Sequence, residues 1–303
     1  LYSLNLSQLE ALHFYKTGKM PGMFPSEWAS GNQRHGVYLL FGRYLWDPLY
    51  CFSPMNYTNP QLKITANKAA IRAAGVDGYA AGNNIYVTIV LKLFEEGASP
   101  QGFLMQKQID SFTSVTSGDK AIYLPRDYPY RLLMPRFWVE LSDINEVITD
   151  IKMSCDNDKY IPFNRKVVDL DGEALAHFGT GRVKHDMFAS HSETTRLIFN
   201  KEPDCRPYLE PETLYDILGI VYQWSSQLKI SLATHAGVAD TTDRKITMVE
   251  EGHAPHATLP IPFGRMMEPA TWFDPTVYGE IKLIMTQAVA ATCEIVLEQL
   301  RAR

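Results

Sequence analysis

The chain has 303 residues, of which 46% are hydrophobic and 21% charged, with a net charge of -5, the balance of a folded globular protein. No apolar run reaches the ~18 residues of a membrane-spanning helix, and the basic residues are dispersed rather than clustered as phosphate-backbone binding demands, so direct nucleic-acid binding is not expected. The four cysteines, Cys51, Cys155, Cys205 and Cys293, lack the pairing of zinc sites and the density of a disulfide scaffold, and read as buried thiols.

Residues 1–34 form an arm of their own. Leu4, Leu6, Leu9, Leu12 and Phe14 make an uneven apolar stripe, and Ser7 with Glu10 has capping-box spacing, which predicts a short amphipathic helix. Its polar side would carry Lys16 and Lys19, and Pro21, Gly22 and Pro25 would end it. From Gly36 onward the dominant period is two. It is clearest where Ile85, Val87, Ile89, Leu91 and Leu93 alternate with Tyr86, Thr88, Val90, Lys92 and Phe94, giving a strand with one wholly aliphatic side. Further strands are expected over 36–44, 103–115, 120–124, 130–140, 147–155 and 160–170, and Leu62, Ile64 and Ala66 alternate in the same way. The second half predicts strands over 193–200, 217–223, 227–234, 245–250, 257–263, 279–286 and 291–300. Short helices are expected after Asp47-Pro48 and Glu210-Pro211, where proline takes a first-turn position.

Four short blocks recur in one order. Tyr38 to Phe41 answers Arg196 to Phe199, Leu49-Tyr50 answers Leu214-Tyr215, Gln61 to Thr65 answers Gln227 to Ser231, and Glu95 to Pro100 answers Glu250 to Pro255. That spacing is far longer than a solenoid unit and points to two copies of one domain. The expected organisation is therefore an arm over 1–34, a first β domain over 35–180 and a second over 181–303. Many strands and few helices make the fold class all-β, two tandem eight-stranded jelly rolls with a short N-terminal helix and a few short loop helices.

The order of Val37 to Phe41, Asn59 to Ile64, Ile122-Tyr123-Leu124-Pro125, Tyr130-Arg131 and Ile148 to Met153 resembles viral double jelly-roll major capsid proteins. Phe273 to Leu283 followed by Ile295 to Leu300 resembles their closing strand pair, especially in tailless, lipid-containing bacterial viruses. The resemblance implies a structural major capsid protein in the virion, without enzymatic activity or cofactor. It implies homotrimeric, pseudo-hexagonal capsomers that tile an icosahedral shell beside neighbouring capsomers and minor capsid or vertex proteins. It also implies that residues 1–34 lie on the inner side, against an internal membrane or neighbouring subunits. Physically, two similar domains per chain become six near-equivalent wedges in a trimer, which suits a three-fold oligomer to a six-fold lattice position. A jelly-roll enzyme, either a two-domain cupin or a glycoprotein amidase, and a glycan- or receptor-binding spike protein are the alternatives.

None of the polar clusters is assigned as catalytic, cofactor-binding or metal-binding. Glu251, His253 and His256 do not have cupin spacing, and a solvated loop is expected there. His185, His191, Asp186 and Glu193 lack a companion nucleophile motif. Asp169 with Asp171, and Asp156-Asn157-Asp158, carry calcium-type oxygens, but the latter lacks the glycine and distal glutamate of a calcium loop and reads as a turn. Trp46, Trp138, Trp224 and Trp272 could form a glycan platform, although core and subunit contacts favour the same rings.

Overall fold

The computed structural model describes residues 2–21, 23–24, 34–66, 86–139, 142–189, 192–196, 199–209, 217–224, 227–234 and 244–302, with the backbone alone over 23–35 and 184–248. In chain order the elements are β1 (Tyr2–Ser3), α1 (Leu6–Thr17), β2 (Met23–Phe24), β3 (Arg34–His35), β4 (Gly102–Thr113), β5 (Asp119–Tyr123) and β6 (Tyr130–Trp138). Then come α2 (Ile144–Val147), β7 (Ile148–Cys155), β8 (Tyr160–Lys166), α3 (Val167–Phe178), β9 (Gly181–Ala189), β10 (Ser192–Arg196) and β11 (Phe199–Leu209). The last are β12 (Ile217–Trp224), β13 (Gln227–Thr234), β14 (Arg244–Pro255), β15 (Ile261–Pro262), β16 (Ile281–Gln287) and β17 (Thr292–Ala302). The protein is mostly β-sheet with few helices.

The first unit is built from both ends of the chain. One sheet has the order β1-β4-β17-β6-β15 and the other β5-β16-β7-β8. Counting its eight principal strands along the chain, β4 to β8 and then β15 to β17, the orders are first-eighth-third-sixth and second-seventh-fourth-fifth. Between the fifth and sixth strands the chain runs through α3 and a second unit, whose sheets are β11-β14-β9 and β10-β13-β12. Counted the same way, the six described strands give first-sixth-third and second-fifth-fourth, matching the wiring of the first unit apart from the two strands that follow its fourth.

The boundary expected at 180/181 is corrected by this pairing. β16 bonds to β5 and β7, and β17 bonds to β4 and β6 over most of its length, so residues 281–302 complete the first unit and the second is nested inside it. The repeated blocks do not mark equivalent strands either. Gln227 to Ser231 lies in β13, whereas Gln61 to Thr65 belongs to no strand, and the position equivalent to β13 in the first unit is β16. The strands expected over 36–44 and 85–94 are also absent from their described residues, because the segments find no ladder partner. No helix follows Pro48 directly, a single 3-10 turn standing at Pro54–Asn56, and 210–216 lies outside the described residues. The strand expected over 160–170 stops at Lys166, where α3 begins.

Side-chain alternation explains how the first unit is layered. β16 buries Ile281, Leu283, Met285 and Gln287 and leaves the residues between them half-buried. On β17, Cys293, Ile295 and Leu297 enter the core between the sheets with Phe137, Ile151 and Met153. Burying these side chains stabilises the fold by roughly 1.5–3 kcal/mol each. The opposite face of β17 is buried as well, since Val296 packs with Leu132 and Met134 against Ala11, Leu12, Phe14 and Tyr15 of α1.

The N-terminal helix is therefore covered rather than free. It begins at Asn5, not Ser7, through a capping box with Gln8, and ends at Gly18, whose φ of 70° is the left-handed cap conformation. Gln8, Glu10 and His13 are buried along with its apolar residues, while Leu6 is half exposed. The stripe that could have faced lipid is largely spent on the sheet.

Candidate functional site

Polar anchors hold α1 to the outer face of β17. Glu294, Val296 and Glu298 share that face by the two-residue period. Glu294 accepts from Asn5 Nδ2 at 3.2 Å, Gln8 Nε2 at 2.9 Å and Arg136 at 2.9 Å. Glu298 meets Lys16 Nζ at 2.5 Å, Gln106 Nε2 at 2.5 Å and Arg131, all fully buried. Arg131 reaches this side because β6 bulges against β17: Glu298 pairs with Leu132 and Gln299 with Tyr130, which leaves Arg131 unpaired between them. Lys16, expected on the polar side of the helix, is packed against the sheet, with its side chain 1% exposed.

These charges shape one another. Burial pushes the Glu298 carboxyl up, but Arg131 and Lys16 outweigh that and hold it down to about 2. Burial, with a smaller push from Arg131, brings Lys16 down to about 8 against the opposing pull of Glu298. Tyr2, on the neighbouring β1, is raised well above the usual phenol by burial and then by Glu298, and its hydroxyl donates to the Leu40 carbonyl at 2.6 Å. The cluster is an anchor between layers, with two cations for one carboxylate.

The acids and histidines singled out in the sequence are dispersed into pairs. His253 Nε2 lies 3.3 Å from Asp171 of α3, both buried, and His256 Nε2 lies 2.6 Å from Glu10 of α1. Glu251 accepts from Thr180 at the surface. A solvated loop was expected here; instead β14 extends to Pro255 and carries His253 inward. Among the described residues no group of three or more His, Cys, Asp or Glu could hold a metal ion. His185, Asp186 and Glu193 stand on β9 and β10, and His191 lies outside the described residues. Asp156, Asn157 and Asp158 form a left-handed turn between β7 and β8 with φ of 50°, 54° and 66°, and Asp156 accepts from the Gly279 and Glu280 amides. Asp169 sits in the first turn of α3.

Among the described side chains, Trp46, Trp138 and Trp272 do not meet on one platform. Trp272 is buried under Arg131, Trp138 packs against Arg136, and Trp46 is half exposed against Phe94. Trp224 is on β12. A groove of about 900 Å³ opens between α3, β8 and the 260–278 connection, lined by Phe163, Phe178, Phe273 and Tyr278 among others. Tyr160 stacks on Tyr278 at 5.7 Å, and Tyr278 on Phe273 at 5.5 Å. Its acidic and basic lining residues are Arg165, Glu173, His177 and Asp274, of which Arg165 and Glu173 form an ion pair.

A second exposed surface was missed because its pattern is that of a core strand. Tyr86, Val87, Ile89, Val90, Leu91 and Leu93 are 55–82% exposed, and Leu62 and Ile64 are about half exposed. So concentrated an apolar exposure is uncommon on a protein surface. Its near end is fixed by Phe94 against Trp46 at 5.4 Å and by Lys92 Nζ over the Tyr38 ring at 5.3 Å.

No family model matches the sequence, and no curated protein matches it. Among solved structures it is similar to the major capsid protein P2 from bacteriophage PM2, at 9% identity over 66% of this chain and 99% of that one, with a TM-score of 0.17. At that TM-score the similarity carries no argument about wiring or role.

Proposed function

We propose that this chain is a structural protein of a viral shell, a major capsid protein whose work is self-association rather than catalysis. The observation that carries the proposal is the shared wiring of the two β units. Eight strands ordered first-eighth-third-sixth over second-seventh-fourth-fifth support reading the first unit as a jelly roll, and the six described strands of the nested unit support the same reading there. Two such units in one chain supply the near-equivalent wedges that a trimer needs in order to fill a six-fold position. The exposed apolar surface over 86–94 adds a reason for copies to meet. Homotrimers, contacts between capsomers and a virion location belong to the same proposal.

Native mass spectrometry and electron microscopy of the expressed chain test it. Trimers with a hexagonal outline are the expected result. A monomer that persists at high concentration overturns the proposal.

A further inference from the structure

Among the described residues the nested unit has no strand at a position where the first unit has one. In the first unit β7 is covered by β16 on one edge and by β8 on the other. The equivalent β12 pairs with β13, and among the described residues no ladder covers its outer edge. β12 and β13 are joined by two residues, 225–226, so the chain between them cannot supply the missing strand. The β12 sequence, Ile217 to Trp224, holds no proline and no charge, the features by which edges are normally protected from pairing. β11 also ends a sheet, but Pro203 and Pro207 within it lack the amide hydrogens a new ladder needs.

The same chain displays a strand-like segment without a ladder. Residues 86–94 alternate as a strand does, contain no proline and a single charge at Lys92, and match β12 in length, nine residues against eight. Together the exposed parts of Tyr86, Val87, Ile89, Val90, Leu91 and Leu93 present on the order of 800 Å², what one partner contributes to a standard specific interface. Within its own copy the segment does not pair with β12. We infer that residues 86–94 of one copy add as a strand to the free edge of β12 in a second copy, filling the position that β8 fills in the first unit. Backbone hydrogen bonds along ~27 Å of strand would supply affinity, and the side chains on alternate faces would be covered by the sheet's neighbours.

This inference rests on the self-association proposed above, and the test separates the two. Full-length Val90→Pro removes one amide hydrogen from a segment that makes no ladder in the isolated chain. Sedimentation is expected to show at least a tenfold weaker assembly, with unchanged circular dichroism and melting. In parallel, Val90→Cys and Ile220→Cys chains are mixed and oxidised, and a 90–220 disulfide between copies, identified by peptide mapping, is expected. If the proline variant does not fold, that disulfide decides. Wild-type assembly without the 90–220 link overturns strand addition and leaves the shell proposal standing; absence of wild-type assembly overturns both.

Discussion

The two β units share a wiring but differ in what protects their edges. In the first, β1 lies outside β4, β15 outside β6 and β8 outside β7, and Pro162 interrupts the amide row of β8 itself. A helix then covers the outer face of β17. Among the described residues the nested unit has six strands, and β12, whose sequence holds no charge, ends its sheet. In the first unit β5 still ends its sheet but carries Asp119 and Lys120, whereas β12 carries no charge, so the less protected described edge belongs to the nested unit. Shared wiring fixes architecture, while the edges differ in how they are protected from pairing.

The strongest way to break that contrast is to remove residues 281–303. If the units were tandem, residues 35–180 would keep their fold. With the nested pairing, β5 and β7 lose β16 while β4 and β6 lose β17, so the first unit is expected to unfold. Limited proteolysis would then show loss of protection over 102–166. Survival of that region as a protected fragment would refute the nested arrangement.

Next in size is Glu298→Gln. It leaves Lys16 and Arg131 buried beside each other without their carboxylate, and removal of one partner from a buried ionic cluster costs about 3–5 kcal/mol. Urea unfolding should register that loss. Lys16→Met should cost less, because Glu298 keeps Arg131 and the uncompensated second cation is gone.

Strand positions were legible in the sequence where both neighbours exist. The alternation of Ile281, Leu283 and Met285 located β16, and 227–234 coincides with β13. Pairing was not legible, because an apolar face at period two states that something covers a strand without stating what. Thus Ile85 to Phe94 read as a core strand although residues 86–93 are exposed, and 281–302 read as part of the later unit although its partners begin at Gly102. Glu298 and Lys16 were missed for a related reason: a charge in a sequence reads as surface until a partner 282 positions away is placed 2.5 Å from it. The short repeated blocks misled because Gln-Leu-Lys-Ile fits any half-buried strand, whereas the repeat that matters lies in strand order.

A smaller and graded effect is expected in acid. The Glu298 carboxyl is held down to about 2 in the fold and titrates near 4.5 otherwise. The unfolded chain therefore takes up the proton first, so this contribution to stability is complete above about pH 4.5 and is lost as pH falls toward 2. Lys16 behaves oppositely to a stabilised cation. Its ammonium is brought from 10.5 down to about 8, so its charge opposes folding below pH 8 and that cost is relieved as pH rises toward 10.5. Melting midpoints measured against pH should thus fall in acid, and Glu298→Gln should flatten that slope between pH 4.5 and 2. An unchanged slope would place the acid sensitivity in other carboxylates.

The smallest effect separates the two ways in which α1 is fixed. Asn5 Oδ1 accepts from the Gln8 amide while the Gln8 side chain accepts from the Asn5 amide, and Asn5 Nδ2 also reaches Glu294. Loss of an N-cap side chain costs about 1 kcal/mol, and the contact to Glu294 is exposed and adds little. Asn5→Ala is therefore expected to cost about 1 kcal/mol in urea unfolding, well below Glu298→Gln, because the helix would fray at its first turn while Lys16 still ties its last turn to β17. A loss as large as that of Glu298→Gln would mean that the cap sets the register of the helix on the sheet, and that the buried charges merely follow.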